Sequence, residues 1–195
     1  MTQHRQQSER RKEQKEQTLS DLLRDLNIKS SQWDALLIGD GSASDWRNEC
    51  GWCSVLITYD FQREIFYGSC NKGTNNVAEM MAYVMPLMYL SSQFVPTANR
   101  KTCRVRVITD SEYVAKGING VTNLKSNTEL WSVLNSAKYN GLSVAAHWIP
   151  RDTVDLNKLC HDVANYTRQV QKDLLHQVIG DRTAYDFTPE VIKES

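Results

Sequence analysis

The sequence predicts an α/β fold in which a mixed β-sheet carries helices on its faces. Three short β-type runs come first, helical and β-type segments then alternate, and the order is β-β-β-α-β-α-α-β-α. The very short link between the second and third runs predicts an antiparallel hairpin. With 195 residues, the chain is long enough for one domain with its own core plus terminal extensions.

The first long helix is predicted by apolar residues at helical spacing, with Thr74 or Asn75 as candidate N-caps and Pro86 as a candidate kink. Its predicted core stripe is Ala78, Met81, Ala82, Met85 and Met88. In chain order, the predicted elements are strands at 35–40, 51–60 and 63–70, a helix at 74–90, a strand at 103–110, helices at 111–118 and 127–140, a strand at 142–149 and a helix at 157–178.

Both ends of the chain differ from the middle in composition and in hydrophobic periodicity. Residues 1–32 form a charged arm that ends in a short helix, predicted from four leucines at helical spacing: Leu19, Leu22, Leu23 and Leu26. The arm is interpreted as solvated with its helix docked, or as a tether to a protein partner or nucleic acid. Residues 33–178 form the predicted main domain, and 179–195 form a tail that either packs on its surface or is mobile.

Composition limits the classes of function. The 23 basic and 23 acidic residues cancel, so a nucleic-acid partner must be met by a local patch. No segment has the roughly 18 consecutive apolar residues of a membrane span, and the first residues have no signal-peptide pattern. These features predict a cytoplasmic protein that neither spans nor binds a membrane. The five cysteines are odd in number and scattered, which favours reduced thiols over zinc or redox chemistry at the lone C-x-x-C of Cys50 and Cys53.

Four carboxylates occupy the ends of predicted elements. Asp40 and Asp110 each follow an apolar strand, Glu79 is one turn into the first long helix, and Asp162 is near the start of the last helix. Taken singly, they can be an Asx-turn residue, a helix cap, a partner of the helix dipole and a solvated acid. If they converge, their mutual repulsion calls for divalent cations such as Mg²⁺, and two such ions can catalyse phosphodiester hydrolysis.

The motifs around these acids resemble the type 1 ribonuclease H family. The segments "DGSA", "TNNVAEMMAY", "ITDSEYVAKGI", "NTELW" and "HWIPRDTVDLNKLCHDVA" occur in that family's order, from about Leu36 to about Val170. The resemblance implies a ribonuclease H-like fold, with a mixed five-stranded sheet of three antiparallel strands and two parallel additions. It also implies endonucleolytic cleavage of the RNA strand of RNA–DNA hybrids, leaving a 5′-phosphate and a 3′-hydroxyl.

The same resemblance implies roles for individual residues. Asp40 would bridge two Mg²⁺ ions, for which Mn²⁺ is a possible substitute. Glu79 and Asp110 would hold the ion at the leaving oxygen, and Asp162 the ion that activates water. The residues implied to bind the hybrid are Gly41, Ser42, Thr74, Asn75, Asn76 and Ser111.

The sequence departs from the family pattern at two places. Asp152 stands where many relatives have a loop histidine, and His161 is the neighbouring candidate for that auxiliary role, although a partly exposed helix position is the simpler interpretation. The link "NGVTNLKS" replaces a larger basic insertion. The alternative function is therefore a non-catalytic or differently specific nucleic-acid-binding module on the same fold.

Overall fold

The computed structural model describes residues 18–44, 49–60, 62–70, 72–97, 102–121, 125–151, 153–170 and 175–178. Within them lies one six-stranded sheet with the order β5-β4-β1-β2-β3-β6. The strands are β1 (Ala35–Ser44), β2 (Glu49–Thr58), β3 (Arg63–Cys70), β4 (Cys103–Thr109), β5 (Leu142–Trp148) and β6 (Leu175–Val178). The helices are α1 (Leu19–Asp25), α2 (Asn75–Gln93), α3 (Glu112–Ile118), α4 (Thr128–Tyr139) and α5 (Asp155–Val170), with a short 3₁₀ turn at Ser30–Gln32.

The strand pairing confirms the predicted mixed sheet. β1, β2 and β3 form an antiparallel meander. β4 pairs in parallel with β1, and β5 pairs in parallel with β4. After β3 the chain passes through α2 to β4, which lies on the far side of β1, and α3 with α4 form the crossover between the parallel neighbours β4 and β5.

The prediction of a last helix over 157–178 is wrong at its C-terminal end. The helix stops at Val170, and Leu175–Val178 forms a sixth strand that pairs antiparallel with β3. Buried positions of α5 end with Thr167, so the apolar stripe that holds a helix against the sheet has run out by this point. The added strand covers the free hydrogen-bonding edge of β3.

Two cores lie on opposite faces of the sheet. On one face, α1 and α5 pack against alternating residues of the central strands, such as Leu36 and Ile38. On the other face, α2, α3 and α4 pack against the intervening residues, such as Leu37 and Val107. This alternation follows from the two-residue period of a strand, and it confirms helices on both faces.

The buried face of α2 differs from the predicted methionine stripe. Ala78 and Ala82 are buried as predicted, but Met88 is 48% exposed, and Met80 is fully buried instead. The helix also continues through Pro86 to Gln93. Its core residues extend over a wider arc than the single stripe, because α2 packs against both the sheet and α4.

The cysteine prediction is wrong for one pair. Cys50 on β2 and Cys70 on β3 are direct cross-strand partners, and a disulfide joins them. Cys53, Cys103 and Cys160 are buried free thiols. Sequence spacing gave no sign of the pair because the hairpin register, not proximity in the chain, brings the two residues together.

The short N-terminal helix is docked, as one interpretation of the arm predicted. Leu22 of α1 and the following Ile28 are buried in the same cluster as Trp33. Residues 1–17 and the tail at 179–195 lie outside the described residues, so the tether and the domain bounds at 1–32, 33–178 and 179–195 stay predictions. Among the helices that are described, none is long and apolar enough to cross a membrane.

Candidate active site

The register of β1 and β4 brings Asp40 and Asp110 to one edge of the sheet. The last parallel pair is Ile38 with Ile108, and each aspartate follows two residues later on its own segment. Asp40 does not end its strand as predicted, because β1 continues to Ser44 in pairing with β2 alone. Asp40 therefore lies where β1 parts from β4, and it is only 2% exposed.

A buried tyrosine, Tyr83, links β1 and β4 next to these aspartates. Tyr83 of α2 is fully buried, and its hydroxyl lies 2.6 Å from the carbonyl oxygen of Gly39 and 3.0 Å from that of Ile108. These carbonyls immediately precede Asp40 on one strand and Thr109 on the other. Burial raises the pKa of Tyr83 far above its usual value, so the hydroxyl stays a neutral donor.

Glu79 reaches the same edge from the first turns of α2. Thr74 caps the helix by accepting a hydrogen bond from Val77 N at 3.4 Å. Asn75 Nδ2 donates to Glu79 Oε1 at 2.7 Å, and Ser111 Oγ donates to Glu79 Oε2. Both oxygens of Glu79 are thus oriented by predicted substrate-binding residues.

Asp110 is held by residues that follow β5. Arg151 Nε donates to Asp110 Oδ2 at 3.2 Å, and the same guanidinium lies 3.8 Å from Asp40 Oδ2. Trp148 Nε1 donates to the backbone oxygen of Asp110 at 3.0 Å. Arg151, which the sequence analysis missed, therefore lies between two of the carboxylates.

The three acids repel one another in a poorly solvated place. Burial raises the pKa of Glu79 and of Asp110, and the negative charge of Asp40 raises both further. Arg151 offsets part of this repulsion. The result is a local excess of negative charge that attracts cations.

The donor set fits a hard divalent cation, with one condition. Within the described part of the chain, no three His, Cys, Asp or Glu side chains are already grouped as a metal site. The guanidinium of Arg151 contacts Asp40 and Asp110, so these carboxylates are partly engaged with a protein cation. Asp40, Glu79 and Asp110 carry the type of oxygen ligand that Mg²⁺ and Mn²⁺ prefer, but a cation bound by Asp40 and Asp110 would have to displace Arg151.

The fourth predicted acid, Asp162, is not turned toward Asp40 as its neighbour is. Asp162 is exposed on α5, whereas its neighbour His161 turns its Nδ1 to within 2.7 Å of Asp40 Oδ2. Successive helical residues differ in direction by about 100°, so the two side chains cannot face the same place. Cys160 and Ala164 are buried against the sheet, and this fixes His161 on the site side of the helix. The hydrogen bond to Asp40 raises the pKa of His161.

Two further residues of α5 stand behind His161. Asn165 Nδ2 lies 3.0 Å from His161 Nε2, and Ser42 Oγ donates to Asn165 Oδ1 at 2.6 Å. Arg168 Nε donates to Ser42 Oγ at 3.0 Å. Asn165 and Arg168 belong to no sequence motif singled out above, although their spacing of four and seven residues from His161 indicates one face of a helix.

The remaining predicted site residues have distinct positions. Ser111 caps α3 by accepting from Val114 N at 3.3 Å, in addition to its contact with Glu79. Gly41 N donates to Asp40 Oδ1 at 2.8 Å. Asn76 is exposed at the start of α2, and Asp152 lies outside the described residues.

Comparisons with known proteins agree with this architecture. The family model described as RNase H matches residues 34–167. The chain is 34% identical to ribonuclease H of Cupriavidus pinatubonensis over 85 residues, which are 44% of this chain and 52% of that protein. It is 30% identical to ribonuclease H of Pseudomonas fluorescens over 123 residues, covering 56% of this chain and 75% of that protein. The structure of LC11-RNase H1 in complex with an RNA/DNA hybrid is similar with a TM-score of 0.58 at 21% identity, covering 70% of this chain and 97% of that one.

Proposed function

Because the chain belongs to the ribonuclease H family, we propose that it is an endonuclease that hydrolyses the RNA strand of RNA–DNA hybrids. The products are a 5′-phosphate and a 3′-hydroxyl. The observation that carries this proposal is the approach of Asp40, Glu79 and Asp110 at one edge of the sheet, where burial and the charge of Asp40 raise the pKa of both Glu79 and Asp110. The hybrid bound by the similar LC11-RNase H1 supports the substrate class.

The three carboxylates are the proposed cation ligands. Divalent ions bound there supply charge stabilisation to the attacking and leaving oxygens of the phosphodiester. Asp40 is buried, and its Oδ1 accepts a hydrogen bond from Gly41 N–H while its Oδ2 faces Arg151. Asn75 and Ser111 orient Glu79 in the same way, so the ligands are preorganised by neighbouring donors.

The exposed N-terminal turn of α2 is the proposed place for the hybrid. Thr74, Asn75 and Asn76 are all exposed there and carry amide and hydroxyl groups suited to sugar and phosphate. Such contacts position a duplex without reading its bases, and contacts to 2′-hydroxyls distinguish RNA from DNA. We therefore expect cleavage that is largely independent of sequence.

The direct test is a labelled RNA–DNA duplex incubated with the full chain, with and without Mg²⁺ or Mn²⁺. Matched DNA and RNA duplexes of the same sequence run beside it. Ion-dependent cleavage of the RNA strand in the hybrid alone, with 5′-phosphate ends, is the expected result. Cleavage of all three duplexes, or of none, contradicts the proposal.

A hybrid-binding module without cleavage is the second candidate function. It is favoured by the guanidinium of Arg151, which contacts two of the acids, and by the contact of His161, rather than of the predicted Asp162, with Asp40. Under this alternative, the protein retards a labelled hybrid in a gel at any divalent ion concentration and leaves its RNA strand intact.

Arg151→Ala is expected to tighten Mg²⁺ binding to the free protein about threefold or more. The substitution removes a cation that contacts Asp40 and Asp110 and competes with a metal for the same oxygens. Isothermal titration with MgCl₂ measures the affinity in the absence of hybrid. Lys116→Ala is the matched control, because Lys116 pairs with Glu112 on the exposed face of α3. Weaker Mg²⁺ binding by the Arg151 variant contradicts the idea of competition.

A further inference from the structure

We propose that His161 is a positioning residue, which holds Asp40 through a directed chain of hydrogen bonds and takes the place that the family pattern suggests for a fourth acid. The inference rests on the proposed function for the role of Asp40 as a cation ligand. It goes beyond that function by naming the device that orients this ligand and by replacing Asp162 with its neighbour.

The direction of the chain follows from the chemistry of its members. Arg168 Nε can only donate, so Ser42 Oγ accepts from it at 3.0 Å and gives its own proton to Asn165 Oδ1 at 2.6 Å. Asn165 then has its amide group, which only donates, turned to His161 Nε2 at 3.0 Å. With Nε2 accepting, the proton of the imidazole is on Nδ1.

The end of the chain is Asp40. His161 Nδ1 donates to Asp40 Oδ2 at 2.7 Å, while Gly41 N donates to Asp40 Oδ1 at 2.8 Å. Each oxygen of this buried carboxylate therefore has a fixed donor, which restricts rotation of the group. Because both ring nitrogens of His161 are engaged, the imidazole acts through Asp40 and not as a ligand of its own.

Close packing makes the chain rigid. A Cβ atom on Gly51 would come within 3.0 Å of Ala164 O and Arg168 N, so α5 rests directly on the backbone of β2 at the level of this network. Cys160 Sγ, one residue before His161, donates to the carbonyl oxygen of Ile38 at 3.4 Å. These contacts fix α5 against β1 and β2, and the imidazole is held in place, with its side chain only 33% exposed.

The neighbouring aspartate lacks these features. Asp162 is exposed, and it acts on the site through its negative charge, which raises the pKa of His161. An imidazole beside Asp40, whether neutral or protonated, also adds no negative charge to the three carboxylates. The arrangement thus orients Asp40 without increasing the repulsion that already raises the cost of charging Glu79 and Asp110.

The test is a set of substitutions in the full chain, read by isothermal titration with MgCl₂ and by kcat and KM on the hybrid. His161→Ala and Asn165→Ala are each expected to weaken Mg²⁺ binding and to lower kcat about 10-fold, with little change in KM. The double variant should lose no more than either single one, because the two residues act as a unit. Circular dichroism melting confirms that the variants are folded.

Conservative replacements distinguish positioning from simple space filling. The amide nitrogen of asparagine can stand near the place of Nδ1, whereas that of glutamine stands near Nε2, so His161→Asn should restore most of the Mg²⁺ affinity and His161→Gln should not. Asp162→Asn should stay within about twofold of the parent protein in both readouts, as should Glu129→Gln on the exposed start of α4. Equal rescue by both amides, or a larger loss from Asp162→Asn than from His161→Ala, overturns the proposal.

The two readouts separate this inference from the proposed function. Suppose that the parent protein fails to cleave the hybrid, while His161→Ala still weakens Mg²⁺ binding and His161→Asn still restores it. The proposed activity is then wrong and the positioning role stands. If cleavage is found but His161→Ala binds Mg²⁺ as the parent does, the activity stands and the positioning role is wrong.

Discussion

Asp40→Asn is expected to lower Mg²⁺-dependent cleavage of an RNA–DNA hybrid by about 100-fold or more. Asp40 is the carboxylate whose charge acts on both Glu79 and Asp110, and it is buried where β1 parts from β4. The amide keeps the size of the side chain and still offers one oxygen to Gly41 N–H, but it removes the negative charge that the proposed cation ligand needs. The measurement is the initial rate of RNA-strand cleavage at saturating Mg²⁺.

The matched control for this prediction is Asp162→Asn, which makes the same chemical change on an exposed face of α5. Thermal unfolding followed by circular dichroism should show that both variants retain the fold, because neither changes the volume of a core side chain. A normal rate for Asp40→Asn would refute the assignment of the site. A loss shared equally by both variants would mean that Asp162 takes part in the reaction after all.

The sequence was sufficient to predict that Asp40 and Asp110 lie at the same edge of the sheet. Asp40 and Asp110 each follow an apolar run, and a mixed sheet with parallel β1 and β4 places the following residues at one edge. Glu79 was predictable for a related reason, since a cap at Thr74 sets the start of α2 and so the direction of the residue five positions later. Strand ends and helix caps determine the positions of these three acids, and both can be recognised in the sequence.

The choice between His161 and Asp162 needed the packing of α5. A shift of one residue turns a helical side chain by about 100°, so the correct face depends on which neighbours are buried. Chemistry alone favours aspartate as a metal ligand and so predicts Asp162, whereas the residue that contacts Asp40 is His161. The polar spacing of His161, Asn165 and Arg168 beside buried Cys160 and Ala164 was the signal available in the sequence.

Two other features depend on contacts between distant segments. The sixth strand at Leu175–Val178 is defined by the open edge of β3, since four residues have too little pattern to indicate a strand by themselves. Arg151 reaches Asp40 and Asp110 only because β5 lies beside β4 and delivers the residues after it to the same edge. Neither outcome follows from propensity or periodicity.

Gly41→Ala is expected to destabilise the protein by about 3 kcal/mol, because β1 and α2 touch at this residue with no room for a side chain. A Cβ atom on Gly41 would come within 3.0 Å of Glu79 N and of the carbonyl carbon and Cβ of Ala78, and the backbone there cannot rotate away as a flexible side chain could. Urea unfolding followed by far-ultraviolet circular dichroism gives the free energy, and Ser44→Ala serves as a control on the same strand.

The same substitution is expected to lower cleavage in the fraction that remains folded, because relieving the overlap must move the start of α2, and Glu79 moves with it. Gly41 follows Asp40 in the chain, so a glycine that the family resemblance suggests as a substrate contact also sets the separation of two proposed cation ligands. Activity per folded molecule, measured well below the unfolding midpoint, tests this coupling. If the variant loses stability yet cleaves at the normal rate, this glycine does not set the spacing of Asp40 and Glu79. If the stability of the variant is within about 0.5 kcal/mol of that of the parent protein, the close approach of β1 and α2 is itself contradicted.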